Sequence, residues 1–188
     1  MNSALILVDL QESIRHRPYW NAAEVPDFLE RTNALLRGAQ AARVPVVSIL
    51  HSDGPETVDN PWSLASGHVR PLDGLAPFTA AAGFLKHRHS ALVGTGLPVW
   101  LHQQGIRRLI VAGFRTEQCC ETTARHASDE GWEVDFVTEA TLTFAIRHAS
   151  GVVLGPADIK LRTEAVLSDR FARPCTVEQA LERARSMS

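Results

Sequence analysis

Short, mostly aliphatic runs separated by helical patterns constrain the fold of this chain more than any other feature. Residues 4–8 form an uninterrupted aliphatic run, and residues 108–112 form a second strongly apolar one. Continuous runs of this kind are typical of strands buried on both faces, as in a parallel sheet covered by helices. The alternating order therefore predicts an α/β fold, a three-layer α/β/α sandwich with a mainly parallel, Rossmann-like sheet of about six strands.

The pattern assigns most of the chain to strands and helices. Predicted strands are residues 4–8, 44–50, 83–86, 108–112, 133–137 and 172–175, and predicted helices are residues 25–43, 97–104, 117–130, 157–171 and 177–185. Two irregular stretches remain, residues 51–82 and 141–155, and long loops inside a compact domain are usually functional. Because no shift in composition marks a boundary, we expect one domain over residues 1–188.

Composition excludes several classes of protein. The chain is 45% hydrophobic and 21% charged with a formal net charge of −2, so no basic field predicts nucleic-acid binding. No segment approaches the roughly 20 apolar residues that span a bilayer. Three cysteines do not suggest a secreted disulfide framework, and the N-terminal residues lack a basic leader. We expect a cytoplasmic protein that acts on a small molecule, without a nucleic-acid or membrane partner.

Three predicted strands end close to a group that can take part in catalysis. Asp9 follows the first strand, Lys86 ends the third, and Cys119 follows the fourth after Gly113. The carboxyl ends of parallel strands share one edge of a sheet, so these side chains are expected to converge. A carboxylate accepts a thiol proton, and an ammonium stabilises both anions. Each residue alone is more often structural; their joint placement is what indicates a site.

Cys119 is placed at the predicted start of a helix. Unpaired N–H groups and the helix dipole favour the thiolate there, which predicts covalent catalysis. The alternative is a buried structural cysteine, since free cysteine packs as a small hydrophobe. Cys120 and Cys175 are interpreted as packing residues.

Three segments, in order, resemble those of the isochorismatase-like cysteine hydrolases. LVDLQ (residues 7–11) is similar to the acid segment of that superfamily, KHRHSALVGT (residues 86–95) to its lysine segment, and GFRTEQCCETTAR (residues 113–125) to its nucleophile segment. The superfamily includes nicotinamidases, N-carbamoylsarcosine amidases and ureidoacrylate amidohydrolases. The resemblance runs from Leu5 to about Leu181.

The resemblance implies a catalytic triad of Asp9 as base, Lys86, and Cys119 as nucleophile. It also implies a cis peptide between Phe114 and Arg115, and an oxyanion hole made by the backbone N–H groups of Arg115 and Cys119. The implied reaction is cleavage of a small amide or ureido C–N bond through a Cys119 thioester, with no cofactor. Members are usually homo-oligomers, so a dimer or tetramer is expected.

Metal binding separates branches of this superfamily. The nicotinamidases that it includes bind a divalent cation through an Asp-x-His pair and a later His. This chain has His51, Asp53 and then His68, in which the order of the pair is reversed. We therefore predict that no metal is bound.

Contacts with substrate are predicted from residues near the strand ends and in the irregular stretches. The candidates are Gln11, which is expected to orient Asp9, together with Trp20, His51, Trp62 and Phe144. The Arg115 guanidinium either recognises a substrate carboxylate or is solvated. If the lysine segment is a strand, His87 and His89 share one face and Lys86 points to the other.

Two other functions compete with amide hydrolysis. One is cleavage of a vinyl ether, as in isochorismatases proper, which need not use the cysteine. The other is a non-enzymatic redox sensor that uses the adjacent Cys119 and Cys120. A nucleotide-binding module is disfavoured because no G-x-G-x-x-G follows the first strand.

Overall fold

A six-stranded parallel sheet forms the centre of the structure, a computed structural model that describes residues 2–186. In chain order the strands are β1 (Asn2–Val8), β2 (Val46–His51), β3 (Ala82–Lys86), β4 (Ile106–Phe114), β5 (Glu133–Leu142), β6 (Ile146–Arg147), β7 (Val153–Leu154) and β8 (Arg173–Pro174). The sheet has the order β3-β2-β1-β4-β5-β8, with parallel pairing throughout. β6 and β7 form a separate antiparallel hairpin. The predicted α/β fold with a parallel sheet is confirmed.

Helices cover both faces of this sheet. They are α1 (Val25–Ala41), α2 (Leu97–Gln103), α3 (Glu121–Asp129), α4 (Pro156–Leu167) and α5 (Val177–Arg185). On β1, Leu5 and Leu7 pack into the core shared with α1 and α5, whereas Ile6 and Val8 pack into the core shared with α2 and α3. Both faces of β1 are therefore buried, which explains its uninterrupted aliphatic sequence. None of the helices among the described residues is long and apolar enough to cross a membrane.

Two predicted helices differ most from their bounds in the structure. The helix predicted from residue 117 begins as a π-helical turn, Thr116–Cys120, and becomes α3 only at Glu121. The helix predicted over residues 157–171 ends at Leu167, because the backbone of Ser168 leaves the helical conformation with ψ 138°. The first difference matters for the site, since Cys119 lies in the π turn.

β1 and β4 approach each other closely at their carboxyl ends. Gly113 has φ 134°, and a Cβ atom there would lie 2.1 Å from the carbonyl oxygen of Val8. Only glycine fits this position, because any side chain would collide with the β1 backbone. The close approach brings Asp9, which follows β1 with φ 52°, beside the turn that follows β4.

Candidate active site

The structure brings Asp9, Lys86 and Cys119 together at the carboxyl edge of the sheet. The Lys86 ammonium lies 2.8 Å from Asp9 Oδ2 and 3.4 Å from Cys119 Sγ. β2 separates β3 from β1, so a long side chain is needed to reach Asp9 from the end of β3. Lys86 is completely buried and Asp9 is only 2% exposed. The predicted convergence of an acid, an amine and a thiol is therefore present in the geometry.

His51 completes the surroundings of the Lys86 ammonium. Its Nδ1 lies 2.8 Å from Nζ, and the carbonyl of Arg88 accepts a hydrogen bond from Nζ at 3.0 Å. Burial, reinforced by the charge of Lys86, lowers the pKa of His51 to about 4. The imidazole is thus neutral near pH 7, with Nδ1 as the acceptor and the proton on Nε2. His51 therefore helps to hold the ammonium without adding a competing charge.

Gln11 contacts the backbone of His51. Its Nε2 donates to the His51 carbonyl at 2.9 Å and to Ser13 Oγ at 3.0 Å, and its Oε1 accepts from the His51 N–H at 2.6 Å. The expected hydrogen bond that orients Asp9 is not among these contacts. Gln11 instead fixes the end of β2, and through it the ring that contacts Lys86.

Burial sets the protonation of both reacting groups. It raises the pKa of Asp9 to about 6, although the charge of Lys86 opposes the increase. Burial, followed by the negative charge of Asp9, raises the pKa of Cys119 to about 12. Burial thus favours the protonated thiol in the resting site, which is opposite to the effect expected of unpaired N–H groups at a helix start. The thiol keeps its proton until a base removes it, and Asp9 is the adjacent base.

The backbone between β4 and Cys119 forms a tight turn. The peptide between Phe114 and Arg115 is cis, as the sequence resemblance implies. The N–H groups of Gln118 and Cys120 donate to the Arg115 carbonyl at 3.1 and 3.2 Å. Cys119 is thus held in a defined position relative to the Arg115 backbone.

The Arg115 side chain is buried, not solvated. Its guanidinium lies 2.5 Å from a carboxylate oxygen of Glu117, donates to the Phe144 carbonyl at 2.9 Å, and stacks 4.7 Å from the ring centre of Tyr19. Nε and one terminal nitrogen of the guanidinium thus have partners within the protein. Of the two alternatives, the solvated state is excluded, because the buried guanidinium connects the π turn to the segment after β5.

The aromatic candidates fall into two groups. Trp62 packs edge-on against His51, with ring centres 5.7 Å apart, and the Arg17 guanidinium lies 4.2 Å from its ring centre. Trp20 and Phe144 contact each other with ring centres 5.5 Å apart, and the Phe144 carbonyl accepts from the Arg115 guanidinium. Phe144 is only 2% exposed and belongs to the core below α1. Trp62 is therefore the aromatic candidate that contacts His51, which in turn contacts Lys86.

His89 is a site residue that the sequence reasoning missed. Its Nδ1 lies 3.9 Å from Cys119 Sγ, whereas the Nδ1 of His87 lies 2.9 Å from the Ser52 carbonyl oxygen. The alternation predicted for a strand does not apply after Lys86, because β3 ends there and the chain then leaves the sheet. Serine and turn residues after the lysine were the signal that the alternation stops there.

The candidate metal ligands do not assemble. His51 Nδ1 contacts Lys86, Asp53 accepts from the Gly54 N–H at 2.8 Å, and His68 stacks on His16 with ring centres 4.2 Å apart. Across residues 2–186, no group of three or more histidine, cysteine, aspartate or glutamate side chains is arranged to hold a metal ion.

Comparison with known proteins finds similarity along most of the chain. The isochorismatase domain family matches residues 3–153. The chain is 26% identical to the uncharacterized isochorismatase family protein YrdC of Bacillus subtilis (strain 168), over 95% of this chain and 94% of the relative. It is 30% identical to streptothricin hydrolase of Streptomyces noursei, over 90% of this chain and 57% of that protein. The crystal structure of a cysteine hydrolase from Pseudomonas syringae pv. phaseolicola 1448A superposes with a TM-score of 0.87 at 23% identity, covering 100% of this chain and 94% of that one.

Proposed function

Because the chain belongs to the isochorismatase family and is a hydrolase, we propose that it cleaves a small amide or ureido C–N bond through a thioester on Cys119. The observation that carries this proposal is the contact of one buried ammonium with both Asp9 and the Cys119 sulfur, at 2.8 and 3.4 Å. A nucleophile whose proton must be removed lies beside a carboxylate and a fixed positive charge.

The geometry supports a two-stage reaction. Asp9 takes the thiol proton as Sγ attacks the substrate carbonyl, and Lys86 balances the negative charge that moves between them. The backbone N–H groups of Arg115 and Cys119 are the proposed donors to the oxyanion, each contributing about 10²–10³ in rate. The C–N bond then breaks, and protonated Asp9 gives its proton to the leaving nitrogen. Water hydrolyses the thioester and restores the thiol.

The thiol-sensor alternative is less compatible with the environment of the two cysteines. Cys120 is completely buried, and burial raises its pKa well above the usual range. Redox-sensing cysteines are accessible and have low pKa values. A vinyl-ether hydrolase does not require the thiol, so the contact between Lys86 and Sγ favours the amidase over that alternative as well.

A panel of small amides and ureides, assayed for ammonia release, tests the proposal. Cys119→Ala is expected to reduce turnover at least about 10³-fold, the scale on which removal of a nucleophile acts. Cys120→Ala is the matched control, and it is expected to retain turnover. Full activity in Cys119→Ala would overturn the proposal. A parallel assay with EDTA is expected to give an unchanged rate, since the reaction is proposed to proceed without a metal.

A further inference from the structure

Three titratable side chains approach the Cys119 sulfur, and they differ sharply in exposure. Asp9 and Lys86 are 2% and 0% exposed, whereas His89 is exposed to solvent. The charge of Asp9 acts on the thiol, Lys86 lies 3.4 Å from Sγ, and His89 Nδ1 lies 3.9 Å from it. The sulfur thus has an acid and an ammonium on its buried side and an imidazole toward solvent.

This asymmetry matters for the second half of the proposed reaction. Hydrolysis of a thioester needs a water molecule that loses a proton as it attacks the carbonyl carbon, and that water arrives from solvent. Asp9 lies below the sulfur with Oδ2 held by Lys86 at 2.8 Å. An imidazole beside the sulfur on the open side can accept the water proton, and such a base typically contributes about 10²–10⁴ in rate.

Resting on the proposed function, we propose that His89 is the general base for hydrolysis of the Cys119 thioester. The oxygen of water forms a bond with the acyl carbon while His89 takes one of its protons. The C–S bond then breaks, and the sulfur leaves with its electron pair and recovers a proton from the imidazolium. The products are a carboxylic or carbamic acid and the original thiol. Asp9 serves the first half of the cycle and His89 the second.

An activated ester isolates this second half without knowledge of the natural substrate. With p-nitrophenyl acetate, the nitrophenolate leaves without needing a proton, so its first equivalent reports acylation and the steady rate reports hydrolysis of the acetyl-enzyme. His89→Gln is compared with His87→Gln. Both remove an exposed histidine from one short segment, but the His87 ring is directed to the Ser52 carbonyl.

The expected result for His89→Gln is a burst of about one equivalent of nitrophenolate, followed by a steady rate about 100-fold below that of the unchanged protein. Peptide mapping should find the acetyl group accumulated on Cys119. His87→Gln should match the unchanged protein within about twofold.

Two results would overturn the inference while leaving the proposed function intact. One is an unchanged steady rate in His89→Gln. The other is a slow rate without accumulation of acetyl-Cys119, which would place the defect in acylation. If the unchanged protein itself is never acetylated at Cys119, the proposed function fails and the inference fails with it.

Discussion

The two ends of the sheet each bury a carboxylate beside a cation, yet only one end contains the elements of a catalytic site. At the carboxyl edge Asp9 contacts Lys86, and at the opposite end Asp135 of β5 contacts Arg183 of α5 and lies 3.7 Å from Arg108 of β4. Burial raises the pKa of both carboxyl groups. A buried ion pair with a raised pKa therefore does not by itself identify a catalytic site.

The difference lies in what else the cation contacts. Arg108 and Arg183 also share the half-exposed carboxylate of Glu133, at 2.6 and 3.6 Å, so that the cluster fastens α5 to β4 and β5. Lys86 instead contacts a thiol. A shared second carboxylate fixes structure, whereas a thiol that exchanges its proton with the paired acid makes covalent chemistry accessible.

The largest expected effect is that of Asp9→Asn at the catalytic end. Removing the base while keeping the side chain's shape should reduce kcat/KM about 10³-fold, within the range that general-base catalysis supplies. Circular dichroism should show that the fold is retained. Activity within tenfold of the unchanged protein would mean that Asp9 is not the base, so that the carboxyl edge would not differ in function from the opposite end.

Arg183→Met probes the opposite end. It leaves the Asp135 carboxylate completely buried, with Arg108 at 3.7 Å as its remaining ion-pair partner among the described residues. Loss of one partner of a buried pair typically costs about 3–5 kcal/mol, and we expect about 3 kcal/mol in urea unfolding at pH 8. The loss should be smaller at low pH, because a protonated Asp135 no longer needs the cation. The kcat of the folded variant should be unchanged. A decrease in kcat of more than tenfold would contradict a purely structural role for this ion pair.

The decrease in kcat/KM at low pH tests the raised pKa of Asp9. The pKa is raised to about 6, so the group is protonated, and inactive as a base, at a higher pH than an ordinary aspartate. Log kcat/KM should therefore fall with unit slope below about pH 6, which gives about a tenfold loss at pH 5. Because the thiol and carboxyl are coupled, the inflection belongs to the pair. An activity that stays level down to pH 4 would contradict the assignment of Asp9 as the base.

Glu133→Gln should have the smallest effect. The carboxylate is 49% exposed, and exposed ion pairs usually contribute less than about 1 kcal/mol. We expect a decrease of that size or smaller in the free energy of unfolding, and unchanged turnover. A decrease comparable with that of Arg183→Met would show that the buried and exposed carboxylates of this cluster are equivalent.

Much of the fold and the convergence of the site followed from local sequence. An uninterrupted aliphatic run at residues 4–8 requires burial on both faces, and strand ends at Asp9, Lys86 and Cys119 necessarily share one edge of a parallel sheet. The isochorismatase-like assignment is confirmed by the family match. Domain number, oligomeric state and the roles of the site residues stay predictions.

The unpredicted parts of the site depend on contacts between distant segments. Gln11 binds the backbone of His51, 40 positions away, and no local pattern encodes that partner. His89 reaches the sulfur because β3 stops at Lys86, and strand ends are the least certain feature of a sequence. The raised pKa of Cys119 arises from burial, which results from tertiary packing and not from the local sequence around the cysteine.

Peptide mapping of the acid-quenched reaction with p-nitrophenyl acetate tests the central claim most directly. The unchanged protein should carry the acetyl group on Cys119, with none on the adjacent Cys120, and Asp9→Asn should acquire it at least about 100-fold more slowly. Two results would contradict the account, in which Asp9 activates Cys119 as the nucleophile. One is acetylation confined to another residue. The other is an equal rate of Cys119 acetylation in Asp9→Asn and in the unchanged protein.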